Sequence, residues 1–132
     1  MDRQPVHLPL IRIIPALLWM LGIFALSSQS RLPQAPGIST QLLAVAGHLV
    51  AFGVLAILIT WGAGVDFSYL SRRTLAAYAL TVFYGISDEI HQSFVPGRYA
   101  TVEDVMIDAI GAAAGLFVMY VVARWRRERE TT

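Results

Sequence analysis

From Gln41 to Trp61 the chain carries no ionisable side chain except His48. A helix of about 20 residues spans the hydrocarbon of a bilayer, so this stretch alone has membrane length. Three other segments read the same way. Residues 11–29 are free of charge from Ile13 to Leu26, with Arg12 able to snorkel at one end. Residues 74–93 are apolar through Ile86 and close on polar turns, and residues 102–123 end at an arginine run. The expectation is an all-α, polytopic protein with four transmembrane helices, built as a single transmembrane domain over residues 1–132. Met1 to Pro9 reads as a loose tail. A competing reading of the first segment is a cleaved signal peptide, with Ala25-Leu26-Ser27 as its small-residue site.

Between the spans lie turn signals. Pro33, Pro36 and Gly37 punctuate the first connection, and Asp66 to Arg73 forms the second. Pro96-Gly97 predicts a type II turn with Gly97 at positive φ. Thr101 is an N-cap residue, with Asp104 placed as its capping-box partner.

Composition narrows the chemistry. The chain has no cysteine and no lysine, which removes disulfides, thiolate catalysis and Schiff bases, and leaves all ten cationic side chains as Arg. Their distribution orients the spans. With the N-terminus inside, the cytoplasmic segments hold Arg3, Arg12, Arg72, Arg73, Arg124, Arg126, Arg127 and Arg129, against Arg31 and Arg98 outside. The expected topology is N-in/C-in, in a cytoplasmic membrane crossed several times. The C-terminal arginines then read as a topology signal and a contact for anionic lipid, and no nucleic-acid partner is expected. Trp19, Trp61 and Trp125 read as interface anchors.

That orientation collects Asp88, Glu89, Glu103, Asp104 and Asp108 on the outer side, with His48 about two turns inside the second span. Helical spacing sorts them. Asp88, His91 and Gln92 share one face of the third span, and Glu89 points about 100° away. Asp104, Asp108, Gly111 and Gly115 share a face of the fourth. The small-xxx-small pair Gly111/Gly115 marks a close helix–helix face, which turns Asp108 into the bundle. That face could also carry a homodimer. An ionisable group at membrane depth needs a partner, and for His48 the candidates are Asp88, His91, Asp104 and Asp108. Arg98, just after the turn, suits bidentate capture of a phosphate or carboxylate, or else a bridge to Glu89 or Glu103. Glu103 reads as a first-turn acid favoured by the helix dipole, and Glu89 as an interfacial charge. The candidate polar site is therefore His48, Asp88, His91, Gln92, Arg98, Asp104 and Asp108.

With these residues in place, the chain resembles the VanZ-like family of small bacterial membrane proteins, named for a member associated with resistance to the glycopeptide antibiotic teicoplanin. The resemblance is carried by Trp19 to Gln29 with its Ser-Ser pair, by His48 and Phe52, and above all by Ser87-Asp88-Glu89-Ile90-His91-Gln92-Ser93-Phe94-Val95-Pro96-Gly97-Arg98. Asp104-Val105 and Gly111/Gly115 complete it. Two positions depart from the family pattern. Ala44 and Val45 fill a turn where a polar residue is common before the His, and Asp108 stands where many members carry Asn. The resemblance implies four membrane helices and a link to cell-envelope antibiotic response, without a reaction.

Three functional readings stay open. One is an outer-leaflet site for an anionic envelope lipid, a lipid-linked wall precursor or a lipophilic drug, with Arg98 on the anionic group. Another is a metal-dependent or acid–base hydrolase or transferase, in which the two His and three carboxylates hold a divalent ion such as Zn or Mn. No His-Glu-x-x-His spacing or Ser-His-Asp order supports it. The last is a structural module whose polar knot only locks the helices.

Overall fold

The computed structural model describes residues 10–31, 36–67 and 70–130. The tail Met1 to Pro9 and Pro33 lie outside the described residues. Four α-helices form, with no strand among the described residues: α1 Ile14–Ser27, α2 Thr40–Gly62, α3 Arg72–Gln92 and α4 Val102–Glu130, with a 3₁₀ turn Leu10–Arg12 before α1. Local chemistry explains the boundaries. Pro15 sits in the first turn of α1, where its missing N–H costs nothing. The Ser39 hydroxyl accepts from Leu42 N at 3.2 Å and starts α2. Ser71 and Thr74 form a reciprocal capping box that starts α3, two residues before the expected position. Gly97 has φ +83°, and Arg98 N donates to Val95 O at 3.1 Å, closing the expected turn. α4 runs on past Ala123 through the arginines to Glu130.

Among the described residues, three stretches are long and apolar enough to cross a membrane: Leu10–Ser27, Thr40–Gly62 and Val102–Glu130. α3 is not one of them, because Arg72, Arg73, Asp88 and Glu89 dilute its apolar content. Yet the direction of its side chains is telling. Thr74, Ala77, Thr81, Gly85, Asp88 and Gln92 are buried, while Leu75, Leu80, Phe83 and Ile90 are more than half exposed. The same inversion holds for the whole bundle. Among the described residues its buried apolar cluster is Ile23, Phe52 and Leu55, while large apolar side chains cover the outside of every helix. Soluble monomers rarely show such continuous apolar surface, and a bilayer supplies the missing contact. This is a membrane protein.

α2 and α4 make the closest contact. A Cβ on Gly111 would lie 2.5 Å from Leu49 O, and one on Gly115 2.5 Å from Gly53 O. The two pairs share one register offset, so α2 and α4 run parallel, with backbones as close as small residues allow. This glycine face is filled by α2 within the chain. The close packing expected of Gly111 and Gly115 is thus met inside the chain, with Gly111 buried and Gly115 half-buried.

α1 is tied in by three hydrogen bonds. Trp19 Nε1 donates to Ala51 O at 2.8 Å, the Tyr84 hydroxyl donates to Met20 O at 2.7 Å, and the Ser27 hydroxyl lies 2.7 Å from Asp88 Oδ2. Trp19 therefore clamps α1 to α2 instead of anchoring at an interface. Trp61 and Trp125 lie beneath the guanidinium groups of Arg12 and Arg129. Asp66 pairs with Arg127, tying the α2–α3 connection to the end of α4.

Candidate functional site

The C-terminal ends of α1 and α3 and the N-terminal ends of α2 and α4 meet at one end of the bundle. The seven candidate residues all lie there, but they do not form one cluster. They separate into two, with His91 apart from both.

The first cluster is centred on His48 and Asp108. His48 Nδ1 and Asp108 Oδ1 are 2.8 Å apart, across the α2–α4 seam that the glycines draw together. Asp108 is 1% exposed, so it points into the bundle as its shared face with Gly111 requires. Gly85 of α3 makes the room: a Cβ there would lie 3.0 Å from Asp108 Oδ2. The Phe52 ring lies nearly parallel to the imidazole, with ring centroids 6.3 Å apart. The pairing is direct, so a protonated His48 would sit against a carboxylate and a neutral one would donate from Nδ1.

Glu89 joins this cluster, against expectation. It is buried, and its Oε2 accepts from Thr101 N at 2.9 Å. It thus takes the N-cap donor that Asp104 was expected to take. The Thr101 hydroxyl still accepts from Asp104 N at 3.1 Å, which leaves the Asp104 carboxylate free of the cap. One ligand atom each from His48, Glu89 and Asp104 falls within 4.8 Å of the others. The physical reason is the position of α3, which packs against α1 on one flank and against α2 and α4 on the other. Residues 100° apart on α3 are therefore both buried, facing different neighbours.

The second cluster is a relay along the α1 flank. Asp88 Oδ2 accepts from the Ser27 hydroxyl and from Gln92 Nε2 at 2.8 Å. Gln92 Oε1 in turn accepts from Arg98 Nε at 3.0 Å and from Arg98 Nη2. Arg98 is thus held by Gln92, not by Glu89 or Glu103. Its Nη1 is buried with no hydrogen-bond partner, as is Asp88 Oδ1. His91 leaves the group. Its ring stacks on Phe24 of α1 with centroids 4.4 Å apart, so its proximity in sequence to Asp88 does not bring it to His48. Glu103 is exposed, in keeping with a first-turn acid.

Two adjoining recesses reach these clusters. One, of about 230 Å³, lies between α1 and α2. Ile23, Leu26, Leu43 and Ala51 give it apolar walls, and it ends at His48, Asp88, Gln92 and Arg98. The other, of about 330 Å³, opens at the bundle end past Arg31, Tyr99, Arg98 and Asp104. Both share Ala44, His48, Gln92 and Arg98. The result is an apolar slot leading to a polar mouth. Ser27 was the residue least visible beforehand, since a serine closing an apolar helix announces no partner. Its only signal was a hydroxyl at the same depth as Asp88.

No curated protein and no solved structure matches this chain. A family profile described as VanZ/LLP1 matches residues 10–124, which take in α1, α2, α3 and most of α4, and the chain belongs to that family.

Proposed function

We propose that this chain is a four-span protein of the bacterial cytoplasmic membrane, with both termini inside and its polar mouth facing outward. Its work would be to bind the anionic group of an amphiphile lying in the outer leaflet: an envelope lipid, a lipid-linked wall precursor or a lipophilic glycopeptide such as teicoplanin. On this reading the candidate residues act as one binding mouth in a single domain, and α1 is retained as a wall of it.

The parallel run of α2 and α4 supports four crossings. If both helices cross from the same end, the chain between them must return through the membrane, and α3 is that return. Its 21 residues span roughly 31 Å at 1.5 Å per residue. The arginine bias supports the orientation. A phosphatase reporter inserted in the turn after α3 should be active outside the cytoplasm, and one fused after Glu130 inactive. Equal activity at both places would remove the topology.

The observation that carries the binding reading is the apolar slot ending at a guanidinium whose Nη1 is buried and unpartnered. Such a nitrogen suits an oxygen of phosphate or carboxylate, and Gln92 presets its direction. Native mass spectrometry of the purified protein should show a retained anionic amphiphile. A charge-assisted hydrogen bond is worth about 1.5–3 kcal/mol, so Arg98→Ala should weaken retention by roughly 10–100-fold while folded protein persists. Glycopeptide susceptibility of cells carrying Arg98→Ala should match that of cells lacking the protein. Equal retention in the variant, or none in the wild type, would sink the reading.

A further inference from the structure

His48, Glu89 and Asp104 come from three different helices, and one ligand atom from each falls within a 4.8 Å circle. Acids often gather without consequence, but this group has two marks of a built site. Glu89 is 5% exposed, its Oε2 is fixed by Thr101 N, and its Oε1 has no hydrogen-bond partner. A carboxylate oxygen buried without a donor is costly, and a bound cation relieves that cost. Arg98 does not answer it, since that guanidinium is directed at Gln92.

The second mark is the state of His48. His48 Nδ1 and Asp108 Oδ1 are 2.8 Å apart, so with Asp108 ionised a neutral imidazole donates from Nδ1 and keeps its lone pair on Nε2. Metal-binding histidines characteristically donate their other ring N–H to a carboxylate, which fixes the tautomer and raises the basicity of the ligating nitrogen. Asp108 fills that role through the ring, and Gly85 leaves it the space.

We propose that His48, Glu89 and Asp104 hold one divalent first-row transition ion, with Asp108 as the positioning residue behind His48. One imidazole nitrogen and two carboxylates favour Zn²⁺ or Mn²⁺ over an ion that wants oxygen alone. A zinc ion with bonds near 2.0–2.1 Å holds its ligand atoms roughly 3.3 Å apart, so the site needs to close by no more than about 1.5 Å on binding. His48 and Asp104 are half-buried and Glu89 is buried, so the closing movement falls on the first two. Three protein ligands leave coordination positions open, and these face the mouth that His48 and Asp104 share with Arg98. Of the two His and three carboxylates expected to share an ion, His48 and Asp104 belong to this set; His91, Asp88 and Asp108 do not ligate, and Glu89 is added. The proposal goes beyond the amphiphile reading and stands without it.

The test is metal content and affinity of the full chain in detergent, measured with Zn²⁺ and with Mn²⁺ alone after chelator treatment. The wild type should take up one ion per chain. Glu89→Gln and Asp104→Asn should each lose it, and Asp108→Asn should weaken it about 10–100-fold, as loss of an outer-shell partner does. Glu103→Gln, one residue from Asp104 but exposed, should bind like the wild type. Cobalt substitution adds an optical signature that a purely structural effect of these changes would not move. Absence of a stoichiometric ion in the folded wild type overturns the proposal. So does equal binding by the wild type and Asp104→Asn, the substitution least able to disturb folding.

Discussion

A chain with Gly111→Ala is expected to lose about 1–3 kcal/mol of unfolding free energy, the usual cost of one methyl group forced into a packed contact. Gly111→Leu should not assemble at all. The new Cβ would stand 2.5 Å from Leu49 O and 2.8 Å from Leu49 Cα, and both neighbours are backbone. Neither can rotate aside, so α2 and α4 must separate along their length. Separation reaches the site, because the His48–Asp108 bond crosses that seam one turn away. Gly22 is the control. A Cβ there meets nothing within 4 Å, and Ala is the better helix residue, so Gly22→Ala should be neutral or slightly stabilising. Titration with a denaturing detergent, followed by fluorescence of Trp19 against α2, reads both. A midpoint for Gly111→Ala at or above that of Gly22→Ala would remove the close seam.

The second large effect belongs to Asp108. Asp108→Leu leaves the half-buried His48 N–H without its acceptor and should cost about 1–3 kcal/mol, the penalty of an unsatisfied polar group. The pair itself is measured by a cycle of His48→Ala, Asp108→Ala and the double variant. A hydrogen bond to a charged group is worth about 1.5–3 kcal/mol, and the coupling energy should fall in that range. Coupling below about 0.5 kcal/mol would be the behaviour of independent residues and would separate the two side chains. Asp108→Asn should fall between, since its amide keeps a carbonyl oxygen to accept from Nδ1.

What could be read beforehand follows from what a single helix reveals about itself. α2 occupies Thr40–Gly62 against an expected 41–61, because an unbroken apolar run bounded by turn residues leaves little freedom. Gly97 takes its positive φ because the Pro-Gly pair demands it. Asp108 turns inward because it shares a face with two glycines. The misplacements at the site all concern relations between helices. Spacing on α3 gives the angle between Asp88 and Glu89 but not which neighbours flank each. With α1 on one side and α2 and α4 on the other, both acids are buried and serve different clusters. His91 shares a face with Asp88 but lies one turn nearer the helix end, where Phe24 meets it first. Trp19 looked like an anchor because its type favours interfaces, and only the position of Ala51 on α2 shows its partner.

The polar lining of α3 bears on how the bundle coheres. Hydrocarbon around a protein is as apolar as leucine, so no squeezing by water drives such helices together. Here the interior of α3 offers threonines, an aspartate and a glutamine where a water-soluble protein would offer leucines. Cohesion rests on close backbone contact and on hydrogen bonds that any small protic molecule can contest. Short-chain surfactants that admit water should loosen α1 from α3 first, at Ser27 and Tyr84, while longer-chain ones that keep the annulus dry should preserve the fold. The handling of this protein outside its membrane is thus set less by how much apolar surface is covered than by how thoroughly water is kept from its seams.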